Sequence, residues 1–318
     1  MAHGRHEVTE WGAAADGVTD DTSAVQQAID ATPQGGTVFL PFGRYLITRP
    51  LRVSRDVRVL GDGAFPAWGK VATDWNSINL PTAAPWLTGT VIVQSTPGTN
   101  AIELSGSGRT QHIDGLGILF EGEHRFRDTG HGIVALPDEL GDGYDNGLSG
   151  ASWSNVVVVG HDGDHYAFHI TNGLYNDFRA IQGFGGGILC LVNNSSVDGH
   201  HGNTNVSSLY GQVFLEGTAD GIRLQGDSKT LNLLSFIRPQ VTVNDMSESF
   251  PGLPPATADQ QMLRSVGHVC NVSMLQFDFE TGIGSTISPP TEDCWMDPAG
   301  YAPVWSREEW LTRCATAS

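Results

Sequence analysis

The sequence predicts an all-β solenoid, in which successive β-coils stack on one another and share one core. Two observations lead to this prediction. The 318 residues include 40 glycines and 16 prolines and are 39% hydrophobic, which is typical of short strands joined by turns. In addition, two kinds of strand-like element alternate from about residue 101 to 283, and each pair has the length of one solenoid coil.

The shorter element begins with a small residue followed by an apolar one, as in Ala101-Ile-Glu-Leu and Gly221-Ile-Arg-Leu. The longer element alternates apolar and polar residues, as a strand with one buried face does. It usually opens with Asn, at Asn155, Asn176, Asn205, Asn232 and Asn271. We interpret these Asn residues as turn positions, because Asn tolerates the left-handed conformation and bonds its own backbone.

The N-terminal stretch predicts a helix followed by two short strands. Asp20, Asp21 and Thr22 are good N-cap residues, and a stripe of apolar residues follows them. Gly35 and Gly36 then break the helix, and residues 37–40 and 45–48 have strand composition. We predict that this helix caps the first coil and that Asp16, Asp20 and Asp21 serve as caps and turn ligands.

Two motifs in this stretch carry a family resemblance. They are G-A-x-x-D-G-x-x-D-D-T-x-A-x-Q-x-A-I over 12–29 and G-G-T-V-x-L-P-x-G-x-Y over 35–45. Both resemble the entry to right-handed parallel β-helix proteins of the pectate lyase and polygalacturonase-related superfamily. That group includes alginate epimerases and tailspike-like depolymerases of phages. The resemblance implies this fold and a carbohydrate substrate, but it does not choose an activity, because the motif caps the helix in these families.

We expect a single domain over 1–318, with an N-terminal cap over 1–34, β-coils over 35–284 and an irregular, partly helical C-terminal cap over 285–318. Loops inserted into the coils are predicted at 65–85, which is rich in Pro and Trp, and at 137–150, which is acidic and rich in Gly. Ser306 would begin a helix in the C-terminal cap, which would cover the open strand edges of the last coil.

Charge and cysteine usage restrict the partners. A net charge of −18 disfavours nucleic acid, and no apolar run approaches the ~20 residues that span a membrane. The start lacks the apolar core of a secretory signal, which predicts a cytoplasmic protein, or a virion-associated or extracellular one if it is tailspike-like. No cofactor or metal site is predicted, although a need for Ca²⁺ stays open. Cys294 and Cys314 pair only in an oxidising compartment.

Acidic residues recur where the long elements end, at Glu121, Asp162, Glu216 and Glu280, with Gln240 in one coil. If these ends stack in register, they form a column of carboxylates. Glycosidases need two carboxylates, one protonated and one ionised. We predict Glu121, Asp162, Asp164 and Glu216 as acids or nucleophiles; the alternative is that they are solvated residues at strand ends.

The densest ionisable cluster is residues 160–169, with three His, two Asp and one Tyr. His165 and Tyr166 are predicted as proton-transfer residues, because a His or Tyr beside a carboxylate can act as general acid or base. Arg179 and Arg223 are predicted to bind the carboxylate of a uronate substrate. The alternative is a polar turn in which His169 packs inward.

Three further residues are predicted to bind substrate. Trp75 and Trp153 lie in or beside loops, where their rings can stack on sugar faces. His131 lies in G-H-G, which is similar to a motif of the polygalacturonase family, although the Asp-Asp pair that precedes it in that family is missing. Asp198, His200 and His201 could bind a metal, but no further ligand at a suitable spacing accompanies this loop, so no metal site is predicted there.

Three functions are compatible with these features. The first is cleavage of a polysaccharide, by a glycoside hydrolase or a polysaccharide lyase with paired carboxylates in a groove along the coils. The second is a trimeric tailspike-like depolymerase that binds surface glycan. The third is a cytoplasmic isomerase, epimerase or cyclase acting on a small molecule. The missing R-x-K motif, with which polygalacturonases hold uronate, favours this third function. Fold alone does not decide between them.

Overall fold

A computed structural model describes residues 4–66, 87–104, 111–135, 148–193, 204–245, 253–288, 292–298 and 305–306. These residues form a parallel β-helix, which confirms the predicted fold class. The strands lie in three columns, and each column is a ladder of parallel strands from successive coils. A typical coil contributes one strand to the first column, one to the second and one to the third.

The first column contains β1 (Arg5–Glu7), β3 (Thr37–Leu40), β6 (Arg58–Gly61), β10 (His112–Asp114), β13 (Ser152–Ser154), β16 (Asp177–Arg179) and β19 (Thr204–Ser207). The second contains β2 (Asp16–Asp20), β4 (Gly43–Ile47), β8 (Leu87–Gln94), β11 (Gly117–Phe120), β14 (Val157–Val159), β17 (Gln182–Gly185), β20 (Tyr210–Val213) and β22 (Gln240–Val243). The third contains β5 (Leu51–Val53), β9 (Ile102–Leu104), β12 (Ile133–Ala135), β15 (Tyr166–Thr171), β18 (Gly187–Asn193) and β24 (Ile287–Ser288).

Longer strands continue the stack at its C-terminal end. The strand β21 (Ile222–Ile237) runs from the third column into the first, and β23 (Leu263–Thr281) runs through all three. The strand β25 (Glu292–Pro298) then extends the first column and pairs antiparallel with β26 (Trp305–Ser306). The short strand β7 (Ala64–Pro66) pairs antiparallel with β8.

The N-terminal helix is built as the sequence predicts. It consists of α1 (Thr22–Ala31), which follows a 3₁₀ turn over Val8–Trp11, and its buried side is Val25, Ala28 and Ile29. Asp20 Oδ1 accepts a hydrogen bond from the backbone N–H of Thr22 at 3.0 Å. The Asp21 carboxylate holds the preceding loop instead, by accepting the N–H groups of Ala14 at 2.6 Å and Ala15 at 3.0 Å. The structural role predicted for these aspartates is confirmed.

The two predicted repeat elements correspond to the columns. The short elements are third-column strands, and most long elements are a first-column and a second-column strand joined by one residue with positive φ. Those residues are Gly115 (φ 68°), Asn155 (53°), Ala180 (50°), Ser208 (55°), Arg238 (53°) and Gln276 (54°). Of the recurring Asn residues, Asn155 makes this turn, and Asn271 (φ 50°) also has the left-handed conformation, where β23 enters the first column. Asn176 is buried instead, and its amide bonds the backbone of Ala151 and Leu148.

The core lies inside the coils, where all three columns contribute aliphatic and aromatic side chains. Trp153 on β13 is fully buried and packs edge-on against Phe178 on β16, with ring centroids 4.3 Å apart. Trp153 therefore cannot stack on a sugar, and its prediction as a substrate-binding residue is wrong. The Trp153 ring lies in the core because coil stacking removes this face of the strand from solvent. Its N–H has no hydrogen-bond partner among the described residues.

The C-terminal region differs from the prediction. Coil pairing continues past residue 284, since β25 extends the first column to Pro298. Ser306, expected to begin a helix, lies in β26. Most of the two predicted loops, namely 67–85 and 137–147, lies outside the described residues, as do 307–318. In the part of the chain that the structure describes, no helix is long and apolar enough to cross a membrane.

Candidate functional site

Polar side chains form one row along the corner where each coil enters the third column. The row consists of Asn100, His131, Tyr166 and Asp220. Each accepts a backbone N–H from a later coil: His131 N donates to Asn100 Oδ1 (2.8 Å), Tyr166 N to His131 Nδ1 (3.0 Å), Asp220 N to the Tyr166 hydroxyl (3.0 Å) and Gln261 N to Asp220 Oδ1 (2.8 Å). These side chains satisfy buried backbone donors where the strands turn.

Tyr166 spans two coils within this row. Its ring passes over Gly187, where an added Cβ would lie 2.3 Å from the ring carbons, so only glycine leaves room. Burial raises the pKa of the Tyr166 hydroxyl above its ordinary value, and the hydroxyl is engaged by the Asp220 N–H. The proton-transfer role predicted for Tyr166 therefore does not fit its surroundings, because a buried hydroxyl with a raised pKa ionises too rarely to act as a base.

Three imidazoles meet at the corner. The His131 ring packs edge-on against His165, with centroids 4.8 Å apart, and against His169 at 4.5 Å. Nε2 of His131 lies 3.0 Å from Nδ1 of His169. Burial, followed by the charges of neighbouring histidines, lowers the pKa of His131 to about 2. Burial also lowers the pKa of His169 to about 4, helped by His165 and Arg223. Both rings are therefore neutral at neutral pH.

Asp162 and His165 form a carboxylate–imidazole dyad. His165 donates from Nδ1 to Asp162 Oδ1 at 2.7 Å, and its side chain is 34% exposed. Burial alone would raise the pKa of Asp162, but hydrogen bonds from His165, Thr129 and Asp164 outweigh it and lower the pKa to about 2. The hydrogen bond to Asp162 raises the pKa of His165. The dyad therefore joins a permanent carboxylate to a basic imidazole.

The Asp162 carboxylate is fully engaged inside the protein. Oδ2 accepts the backbone N–H of Thr129 at 2.7 Å, and Oδ1 also accepts the N–H of Asp164 at 3.0 Å. Asp162 N donates in turn to the Thr129 hydroxyl at 2.8 Å. These contacts hold Asp162 so that it orients His165, which leaves it unsuited to the nucleophile role predicted from the sequence.

Two arginines share one buried carboxylate next to the imidazoles. Arg264 Nε lies 2.7 Å from Asp220 Oδ2, and Arg223 Nη1 lies 3.4 Å from the same oxygen. The Asp220 side chain is fully buried, whereas the side chain of Arg223 is 28% exposed and that of Arg264 is 32% exposed. Two guanidinium groups and one carboxylate leave one net positive charge at a partly exposed surface. Such a surface attracts an anionic group on a ligand.

The strand register places these groups on one face. His169, Cys190, Arg223 and Arg264 occupy paired positions on successive third-column strands. Since neighbouring strands lie about 4.8 Å apart, His169 and Arg223 are separated by about 10 Å along the column. One sugar unit and its substituents can contact both positions.

Comparisons with known proteins agree with the fold. Residues 6–121 match the family model described as rhamnogalacturonase A/epimerase, pectate lyase-like. This match covers the capping helix and the first coils, which form a parallel β-helix.

The fold of the chain is a parallel β-helix, and its first coils are similar to the pectate lyase-like family.

Individual relatives match only in part. Mannuronan C5-epimerase AlgE2 of Azotobacter vinelandii is 38% identical over 80 residues, which is 22% of this chain and 8% of that protein. Alginate lyase 7 of the same organism is 36% identical over 80 residues, 22% of this chain and 9% of that protein. This β-helix protein thus matches less than a tenth of the length of these relatives. The phiAB6 tailspike, solved with oligosaccharides of Acinetobacter baumannii surface polysaccharide, superposes with a TM-score of 0.44 and 16% identity, over 88% of this chain and 47% of that one.

The other carboxylates predicted in this β-helix protein are not paired with one another. Glu121 accepts a hydrogen bond from Arg44 at 2.8 Å. Asp164 is exposed and accepts the Thr218 N–H at 2.9 Å. Glu216 is exposed, and its backbone carbonyl packs against Gly163, so it lies beside the dyad.

The predicted column of acids is not formed. Glu280 pairs with Thr242, and Gln240 pairs with Asp278, so the two residues differ in register by two positions. Glu216 lies beyond the end of β20. The register is set by which side chains enter the core, and a count along the sequence misses the different lengths of the turns.

The remaining predicted substrate-binding residues have diverse positions. Arg223 lies at the site. Arg179 is on the first column, 68% exposed and paired with Asp177, away from the imidazoles. Both ring nitrogens of His131 are used inside the protein, so the prediction that it binds substrate directly is wrong. Trp75, Asp198, His200 and His201 lie outside the described residues.

Four residues of the site were missed from the sequence: Thr129, His169, Asp220 and Arg264. His169 appeared only in the alternative interpretation, as a residue that packs inward, but it lies on the outer face, in register with Cys190. The repeat contained a signal for Asp220. It precedes the small residue of a short element, as Asn100, His131 and Tyr166 do, and this shared position becomes the row of side chains at the corner.

A separate cleft lies at the bend between the first and second columns. Its volume is about 590 Å³, and its lining includes Asp62, Asp114, Asn155 and Gln182. Asp114 Oδ1 accepts hydrogen bonds from Ser154 and Asn155, which orders the turn. Within the described ranges, no group of three or more His, Cys, Asp or Glu residues is arranged to hold a metal ion, either here or at the imidazoles.

Proposed function

We propose that this protein acts on a uronate-containing carbohydrate by removing the proton next to the carboxylate, as a polysaccharide lyase or an epimerase does. The observation that carries the proposal is the Asp162–His165 dyad beside the Arg223–Arg264 pair. The partial matches to a mannuronan C5-epimerase and an alginate lyase support the same substrate class.

His165 would be the general base. Asp162 accepts a hydrogen bond from the Nδ1–H of His165, which leaves Nε2 of the neutral ring free to accept a proton, and the raised pKa of His165 makes that acceptance more favourable. The same arrangement of a carboxylate behind an imidazole orients the base in serine hydrolases. Here the proton would come from the sugar carbon that carries the carboxylate.

The arginine pair would stabilise the charge that develops. Removing this proton places negative charge on the carboxylate oxygens, and Arg223 with Arg264 offers the net positive charge that lowers its energy. In elimination, the electron pair forms a C=C bond, the neighbouring C–O bond breaks, and the leaving oxygen takes a proton from water. In epimerisation, a proton returns to the opposite face of the same carbon.

Hydrolysis by paired carboxylates is less compatible with these contacts. Asp162 accepts hydrogen bonds from His165, Thr129 and Asp164, and the Glu121 carboxylate is bonded to Arg44. A glycosidase acid must be protonated near neutral pH, whereas the pKa of Asp162 is lowered to about 2.

The test uses polymannuronate, pectate and a neutral glucan with three measurements. Unsaturated uronate absorbance reports elimination, incorporation of deuterium from D₂O without chain cleavage reports epimerisation, and new reducing ends without unsaturation report hydrolysis. We expect one of the first two signals on a uronate polymer and none on the glucan. Hydrolysis alone, or activity on the glucan alone, would overturn the proposal.

His165→Gln should lower kcat by about 10³-fold, because a general base typically accelerates a reaction by about 10²–10⁴-fold. His112→Gln is the matched control, since His112 is a partly buried histidine on the first column that bonds Ser152. Full activity in His165→Gln would contradict the assignment of the base.

The homotrimer also remains a prediction. Its test is the mass of the protein in solution by light scattering, and a monomeric mass would exclude it.

A further inference from the structure

The hydrogen bonds of His131 determine which nitrogen of His169 carries a proton. A backbone N–H only donates, so Nδ1 of His131, which receives the N–H of Tyr166 at 3.0 Å, is an acceptor without a proton. A neutral imidazole carries one proton, and that proton of His131 is therefore on Nε2. Nε2 then donates to Nδ1 of His169 at 3.0 Å.

The same logic extends one ring further. Because Nδ1 of His169 accepts a hydrogen bond, the proton of the neutral His169 ring is on Nε2. Nδ1 has no lone pair left for a second proton, and Nε2 already carries one. His169 is partly exposed and lies on the same face of the third column as Arg223. Among the described residues, none forms a hydrogen bond with its Nε2. The ring therefore offers an N–H to that face.

We propose that His131 is a positioning residue that locks His169 in the Nε2–H tautomer, so that His169 acts as a neutral hydrogen-bond donor to the substrate and not as a base. This inference rests on the proposed function for the identity of the substrate, but the tautomer itself does not depend on it. A neutral imidazole used as an electrophile has a precedent in triosephosphate isomerase.

The assignment divides the work between two histidines that the sequence does not distinguish. His165 is oriented by a carboxylate and accepts a proton; His169 is oriented by His131 and donates a hydrogen bond. An N–H aimed at the substrate carboxylate or a ring hydroxyl strengthens as negative charge develops, and it helps Arg223 to stabilise that charge.

The direct test is ¹⁵N NMR of protein labelled at histidine nitrogens, with the His169 signals assigned from their loss in His169→Gln. In the unmodified protein at neutral pH, we expect a protonated Nε2 and an unprotonated Nδ1 for His169. A His169 ring with its proton on Nδ1, or a mixture of both tautomers, would falsify the inference, and this measurement needs no variant of His131.

Two variants of His131 sharpen the test. In His131→Gln the amide oxygen can accept the Tyr166 N–H and the amide nitrogen can donate to His169, so we expect the tautomer and most activity to be retained. In His131→Leu neither bond forms, and we expect mixed tautomers, a kcat lower by about 10–100-fold and little change in KM. Equal activity of both variants, or the Nε2–H tautomer persisting in His131→Leu, would contradict the role of His131. His112→Gln should leave the His169 signals unchanged.

The outcomes also separate this inference from the proposed function. If NMR shows the locked tautomer while no uronate polymer reacts, the lock stands and the proposed activity fails. If a uronate polymer reacts but His169 carries its proton on Nδ1, the activity stands and the lock fails.

Discussion

Two polar regions on this β-helix use similar residues in different ways. At the corner before the third column, His131 and His169 bond to each other across coils, and His165 bonds to Asp162 within one turn of the chain. At the bend between the first and second columns, Asp62 and Asp114 accept bonds from the backbone and side chains of the turns. The first arrangement leaves partly exposed imidazoles and a net positive charge at the surface. The second satisfies the turns.

The comparison shows that a cavity and two carboxylates do not make a reactive site. The cleft at the bend has a volume of about 590 Å³, but the Asp114 carboxylate in its wall is occupied in ordering the turn. The imidazoles at the corner lie partly buried on neighbouring coils, where desolvation and close charges change their protonation. If this interpretation is right, equivalent substitutions in the two regions have different consequences.

The largest difference is expected for Asp162→Asn against Asp114→Asn. The first removes the carboxylate that orients His165, so kcat should fall by about 10³-fold. The second changes a turn and should leave kcat within about twofold. Initial rates on the best uronate polymer measure both. Equal losses in the two variants would mean that the corner has no special role.

The cleft is expected to matter for stability and not for activity. Gly61→Ala, in the wall of the cleft, tests this. An added Cβ would lie 2.3 Å from the Gly115 carbonyl oxygen, so the coils must shift. We expect the free energy of unfolding to fall by about 1–3 kcal/mol. Urea unfolding measures this, and activity per folded molecule should be unchanged. A loss of activity without a loss of stability would instead assign function to the cleft.

Arg223→Gln against Arg179→Gln tests the charge at the corner with the same chemical change on two faces. Arg223 shares Asp220 with Arg264, whereas Arg179 pairs with Asp177 on the first column. Removing Arg223 should raise KM for a uronate polymer by about 10-fold, the effect of one charge-assisted hydrogen bond. Arg179→Gln should leave KM unchanged. A larger effect of Arg179→Gln would move the substrate to the first column.

Stability is also expected to depend on pH, which tests the protonation of the imidazoles at the corner. The pKa values of His161 and His169 are lowered to about 4 and that of His131 to about 2, from the ordinary 6.5. Between pH 4 and pH 6.5 the unfolded chain therefore binds more protons, and stability falls as the pH falls, by up to about 1.4 kcal/mol per pH unit for each imidazole.

His165 acts in the opposite sense. Its pKa is raised, so its contribution is present below the ordinary histidine pKa and is lost as the pH rises through its folded value. Three imidazoles have lowered pKa values and one has a raised pKa, so the three outweigh the one. We therefore expect the urea midpoint to be higher at about pH 7 than at about pH 5. The difference should shrink in His131→Gln, which removes one imidazole. An equal midpoint at both pH values would show that these rings are not kept neutral.

Much of the fold was predictable from the sequence, because the relevant signals are local. Apolar alternation, the small residue that opens each short element and the N-cap aspartates each depend on a few neighbouring residues. Composition and repeat spacing together predict stacked coils. The N-terminal cap shows this best, because Asp20 bonds the backbone N–H of Thr22 as its position before the helix implies. Asp21 bonds the loop before it instead, which agrees with the more general prediction of a turn ligand.

The site was only partly predictable. Residues 160–169 were identified by density of ionisable groups, and Asp162, His165 and Arg223 belong to the site. Their roles were not given by the sequence, since whether Asp162 is a nucleophile or an orienting group depends on Thr129, 33 residues away. The column of acids failed for the same reason, because turn lengths shift the register and only packing fixes it.

The sequence by itself thus determined that the chain forms stacked β-coils with a helix over the first coil. Only the tertiary structure decided which side chains meet. His131 and His169 are 38 residues apart, and they touch because two coils place them at neighbouring corners. Burial then sets their protonation, and the direction of each hydrogen bond sets their tautomers. These properties arise from desolvation and contacts between coils, and neither exists until the coils have stacked.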